Sequence, residues 1–245
     1  MSGPAWLLAM DTATATIVVA AGTTDGTMIT EEAFEGRYRH SQELLPAIVR
    51  LTEAAGLRLP DLAGIVTGTG PGAFTGLRVG LATAKTLAHE LGRPIVGVST
   101  AEALLAAVPG ADAVWLPSGA RDRVIVTPGA EPQVVRGEAG GDSTSGDATS
   151  GDATEVDAAG TREGARHLAV DLDGRAPEAA LALGRQAVAG LGSALLRLGA
   201  ARLATGDADD PERLVPAYAT PPRGMPVEDP AGAKDGGVAW SRDPR

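Results

Sequence analysis

The run from Leu62 to Thr100, LAGIVTGTGPGAFTGLRVGLATAKTLAHELGRPIVGVST, constrains this chain more than any other stretch. It opens on a short apolar, β-branched segment, Leu62–Val66, and then breaks at Gly68, Gly70, Pro71 and Gly72. Helical periodicity takes over from Phe74 to Leu91, Gly92 and Pro94 stop it, and Ile95–Val98 forms a second apolar run. Strand, glycine loop, helix and strand make one βαβ unit. The parallel pairing it creates needs a layer on each face of the sheet, so the fold class is α/β.

The helix carries two adjoining stripes. At roughly 100° per residue, Leu77, Leu81, Ala84, Ala88 and Leu91 align as an apolar stripe. Beside it runs a strip of small residues, Ala73, Gly76, Gly80 and Ala84, with Arg78, Lys85 and His89 opposite. Each mid-helix glycine costs about 1 kcal/mol against alanine. Close approach of another backbone would offset that cost. The approaching element is either part of the same chain or a partner chain, and the breadth of the combined stripes favours a partner. The glycine loop also has two readings. Free N–H groups at a helix N-terminus cradle anions, whereas glycines also serve close-packed turns that need φ > 0. Neither the P-loop nor the dinucleotide fingerprint fits, since Leu77 follows Gly76 where Lys-Ser/Thr would be needed.

The chain has 245 residues, enough for one large domain or two modest ones. Its net charge of −10 argues against a broad phosphate-binding surface. With no cysteine, disulfides, thiolate metal sites and cysteine nucleophiles are excluded. The opening MSGPAWLLAMDTAT lacks a basic segment and meets Asp11 too early for a signal peptide. No apolar run approaches the ~20 residues of a membrane span, so a cytoplasmic protein is expected.

Around the central unit, Trp6–Met10 reads as a strand ending at Asp11, followed by Thr12-Ala13-Thr14-Ala15 and a second strand, Thr16–Ala21. Asp25-Gly26 marks a hairpin into a third strand, Met28–Phe34. Asp11 at a strand end beside Thr12 and Thr14 could hold phosphate, or close an Asx turn on its own backbone, the reading its chemistry favours. HSQELLPAIVRLTEAA, His40–Ala55, is an amphipathic helix with Ser41 as N-cap and Pro46 marking a bend or a start. Ala101–Ala107 is a short helix, and Pro109-Gly110 a lobe boundary. Val114–Leu116, Val124–Val126 and His167–Leu172 are short strands, Pro177–Leu198 is one long alanine-rich helix, and Val215–Tyr218 is a last extended piece. Residues 137–163, with SGDAT twice, and the tail 221–245 have compositions that do not order themselves. The expected domains are thus 1–106, 107–220 with its insertion at about 137–163, and the tail.

The usual catalytic sets are missing. His40, His89 and His167 are scattered, with no His-x-x-x-His, and there is no Gly-x-Ser-x-Gly.

MDTAT at Met10–Thr14, HSQELLPAI, GTGPGAFTGLRVGLATAKTLA and GVST at Gly97–Thr100 together resemble the TsaB (YeaZ) family, over roughly residues 6 to 105. Where that family shows Asp-Ala-Arg followed by Gly-Glu-Val-Tyr, this chain has Gly119-Ala120-Arg121-Asp122-Arg123-Val124-Ile125. The resemblance implies a two-lobed fold of the sugar-kinase/Hsp70/actin (ASKHA, RNase H-like) superfamily, with mixed β-sheets flanked by helices. It implies an essential, non-catalytic subunit of the complex that installs N6-threonylcarbamoyl on adenosine 37 (t6A37) of tRNAs reading ANN codons. There TsaB pairs with and activates its paralogue TsaD, TsaE joins them, and tRNA is held through the complex. The implied partner interface is His40, Leu44, Leu45, Ile48, Ala73, Phe74, Gly76, Leu77, Gly80, Leu81 and Ala84. Nucleotide or phosphate contact would fall to Asp11, Thr12, Thr14, Gly70 and Gly72. No catalytic residue, metal or cofactor of its own is implied, though ATP or ADP can sit at the TsaD junction, and without TsaD the chain can pair with itself. The alternative is an enzyme, an ATP-binding kinase or a metallopeptidase of the same superfamily.

Overall fold

The structure, a computed structural model, describes residues 3–36, 40–118, 121–136 and 164–218. The insertion at 137–163 and the tail at 221–245 lie outside the described residues.

Five strands form the first sheet: β1 (Trp6–Asp11), β2 (Thr16–Thr23), β3 (Met28–Glu35), β4 (Leu62–Gly68) and β5 (Ile95–Val98), in the order β3-β2-β1-β4-β5. β1 pairs antiparallel with β2 and parallel with β4, and β4 pairs parallel with β5. The strand period of two, with a core on each face, explains why β1 is apolar from Trp6 to Met10. Trp6, Leu8 and Met10 join one core, which also holds Leu44, Ile48 and Leu51 of α1 (His40–Ala54) and Ala84 and Ala88 of α2 (Phe74–Leu91). Leu7 and Ala9 face the opposite way, into a second core with α3 (Thr100–Ala107) and α5 (Leu191–Ala204).

That second core continues into the other sheet. β6 (Ala113–Ser118), β7 (Asp122–Val126), β8 (Gln133–Val135) and β9 (His167–Ala169) lie in the order β8-β7-β6-β9, again mixed, with β6 parallel to β9. Val114, Leu116, Val124 and Leu168 share one cluster with Leu104, Leu195 and Leu196. Helices from the middle and end of the chain therefore fill the space between the sheets.

Several expectations need correction. The long helix over Pro177–Leu198 is two helices, α4 (Glu178–Ala189) and α5, bent by 54° at Gly190. A side chain at Gly190 would come to 3.0 Å from Ala107 Cβ, so the break lies where α3 crosses closely. Ser41 is inside the first turn of α1 rather than capping it, and the helix runs through Pro46. The strand at His167 ends at Ala169, just before Asp171 takes a left-handed φ of 56°. β8 escaped detection because it is only three residues long, with Gln133 and Val134 exposed. Among the described residues no single helix is long and apolar enough to cross a membrane.

Candidate functional site

The turn between β1 and β2 presses directly onto the glycine loop before α2. Asp11 is buried, and its Oδ1 accepts the Ala13 N–H at 2.8 Å, which closes an Asx turn. Its Oδ2 accepts the Thr100 hydroxyl at 2.6 Å, and Thr100 Oγ1 in turn accepts the Gly70 N–H at 3.0 Å. The Ala73 N–H donates to the Ala13 carbonyl at 2.7 Å, and the Thr12 hydroxyl donates to the Gly76 carbonyl at 2.7 Å. Thr14 donates to the Thr16 carbonyl at 2.8 Å. The residues read as phosphate contacts, Asp11, Thr12, Thr14, Gly70 and Gly72, are thus brought together, and all but Gly72 are buried. Burial pushes the Asp11 carboxyl up to about 6, against the pull of the Thr100 and Ala13 hydrogen bonds, with the Asp171 carboxylate adding to the rise.

This packing accounts for the glycines. A Cβ on Gly68 would run into the Asp11 carboxylate, one on Gly72 into the Ala13 carbonyl, and one on Gly80 into the Thr12 hydroxyl. Gly70 sits at φ +98° ahead of a cis bond to Pro71.

The small-residue strip of α2 is accordingly an internal seam. Gly76, Leu77, Gly80, Leu81 and Ala84 are all buried. The close approach that offsets the mid-helix glycines comes from Thr12 of the same chain, which corrects the reading of that strip as a bare ridge awaiting a partner. On α1, Leu44 and Ile48 are likewise core residues. Of the residues read as partner-facing, Leu45, Ala73 and Phe74 point outward, with Leu45 49% and Phe74 42% exposed. His40 opens α1, and its side chain lies outside the described residues. Sequence reading missed Val49, 51% exposed one turn after Leu45; the i, i+4 apolar pair was its signal.

The two sheets meet at Asp171, whose Oδ2 accepts the Ala15 N–H at 2.6 Å. Beside it lies a cavity of about 360 Å³ lined by Thr16, Ala33, Asp171, Asp173 and Arg185 among others. Arg185 is held by Glu178 at 2.6 Å. The described histidine side chains stand apart: His89 is exposed on α2, and His167 stacks on Trp115 in the second sheet, with ring centres 4.7 Å apart.

Two mixed sheets flanked by helices, joined at the β1–β2 turn and β9, define an ASKHA-type α/β protein. The solved structure of YeaZ from Pseudomonas aeruginosa superposes with a TM-score of 0.61 at 23% identity, covering 87% of this chain and 99% of that one. The family model described as TsaD, tRNA N6-adenosine threonylcarbamoyltransferase, matches residues 35–167, more than half of the 245. The chain belongs to that family, on its TsaB/YeaZ side. The tRNA threonylcarbamoyladenosine biosynthesis protein TsaB of Bacillus subtilis is 39% identical over 100 residues, covering 41% of this chain and 43% of that protein. Its Escherichia coli namesake is 37% identical over 114 residues, 46% of each chain. The chain spans less than half the length of the curated relatives it matches.

Proposed function

We propose that this chain takes part in t6A biosynthesis as a non-catalytic subunit that docks on and activates a TsaD-type subunit. One observation carries the reading: α1 buries Leu44, Ala47, Ile48 and Leu51 as its core stripe, yet presents Leu45 and Val49 to solvent as a second apolar stripe. An apolar pair left outside a helix that already has its own core stripe is the kind of surface a partner covers. Phe74, at the start of α2, is a further exposed apolar side chain on the neighbouring helix. The names of the B. subtilis and E. coli relatives supply the pathway. The Asp11–Thr100–Gly70 network acts in this reading as the brace that holds α2 in place. TsaE joins the pair, tRNA is gripped through the partners, and any ATP or ADP sits at the junction rather than on this chain.

Reconstitution tests this. With TsaC, TsaD, TsaE and tRNA present, leaving out this chain should abolish t6A37, and restoring it should recover the modification. Full modification in its absence would overturn the proposal, as would transfer by this chain alone.

A further inference from the structure

After α5 the chain does not leave the molecule. Arg202, in the last turn of α5, pairs with Asp207 at 2.6 Å and Asp209 at 3.1 Å and donates to the Gly97 carbonyl at 2.8 Å. The Asp209 N–H donates to the Ile95 carbonyl at 2.8 Å, making an antiparallel bridge, and its carboxylate accepts the Gly97 N–H at 2.7 Å. β5 is an edge strand, with backbone groups open to pairing, and this strap covers part of it. The strap then passes round the sheet edge from the face carrying α5 to the face carrying α2. Leu214 packs into the core beneath α2, and its carbonyl accepts Lys85 Nζ at 3.0 Å. The Ala217 N–H donates to the Thr69 carbonyl at 2.8 Å. The Tyr218 ring lies 5.0 Å from Phe74, and the Arg78 guanidinium lies 4.9 Å from the Phe74 ring centre.

The bed for this strap is cut into the glycine positions. A Cβ on Gly97 would come 2.5 Å from Leu214 Cδ1, and one on Gly70 would come 2.9 Å from the Ala217 carbonyl. The strap is thus seated in space that Gly97 and Gly70 leave open, with Val215 60% exposed and Tyr218 half-buried against Phe74. On the α2 side the charge runs against the chain's net −10, with Arg78 and Lys85 against the single carboxylate of Glu90. The strap itself adds Asp207, Asp209, Asp210 and Glu212, of which the first two pair with Arg202 and the third with Arg213.

We propose that the strap Asp207–Tyr218 is the third element of the docking face. Val215, Tyr218 and Phe74 receive apolar side chains of a partner helix whose carboxylates meet Arg78. The inference rests on the docking reading above, with which it shares Phe74. A second copy of this chain fits less well, because a two-fold α2-to-α2 pairing would bring two cationic faces, each with Arg78 and Lys85, together.

The test compares full-length Val215→Asp, Tyr218→Ala and Leu45→Asp with the parent chain, measuring association with the TsaD-type subunit by calorimetry and the melting temperature of each alone. Val215→Asp and Tyr218→Ala should each weaken association at least tenfold, and Val215→Asp should do so without a change in melting. If both strap variants bind like the parent while Leu45→Asp does not, the strap lies outside the interface and this inference falls alone. If all three bind like the parent, the docking reading falls with it.

Discussion

α1 and α2 lie side by side on one face of the first sheet, and they spend their apolar residues in opposite ways. α1 has ordinary large side chains, buries one stripe and leaves Leu45 and Val49 outside. α2 has the more unusual sequence, but its Gly76 and Gly80 are sealed by Thr12 of the same chain, and its Ala84 lies in the core shared with α1. A strip of small residues shows that some backbone or side chain comes close; it does not say whose. The docking proposal rests instead on the apolar side chains of α1, Leu45 and Val49, that its own core does not cover.

The contrast predicts a sensitive sealed side and a tolerant open one. Gly80→Leu should do most damage, since its side chain must displace the buried Thr12 turn. Overpacking of this kind costs about 3 kcal/mol, lowering the melting temperature by roughly 6–12 °C for a chain this size. Calorimetric melting of that variant reads the effect, and an unchanged melt would mean α2 is not sealed as described.

Asp11 gives a pH test of the same seam. Its folded carboxyl holds a proton up to about pH 6, against an ordinary 3.8, so between those values the folded state binds more protons than the unfolded one. Its contribution therefore falls as pH rises from about 4 to about 6, by roughly 3 kcal/mol at pH 7. Asp11→Asn should flatten this part of the melting temperature against pH, and parallel profiles would contradict it. Thr100→Val removes the hydroxyl that links Asp11 to Gly70 and should cost about 1–3 kcal/mol by denaturant titration. Smallest of all, Leu45→Asp should move the stability of the isolated chain by no more than about 0.5 kcal/mol.

Much of the first sheet was legible because its signals are local. The glycine loop and Gly92 bound α2 at Phe74 and Leu91 as read, and the Asx turn at Asp11 follows from an Asp two residues ahead of its N–H partner. What escaped was set by distant contacts. The break at Gly190 depends on α3 crossing nearby, and the sealing of Gly80 depends on a turn 68 positions earlier. The strap looked like a brief extended piece because its anchors, Gly97 and Thr69, lie more than 100 residues away in sequence. The exposed pair Leu45 and Val49 was half seen, since a helical period shows which residues align but not which stripe the sheet will take.

The most direct measurement is sedimentation of the double variant Leu45→Asp/Val49→Asp mixed with its TsaD-type subunit, beside the parent chain. The parent should co-sediment as a complex, while the variant, melting normally by itself, should sediment apart. A double variant that still travels with TsaD as tightly as the parent would show that the outer face of α1 is not where the partner binds.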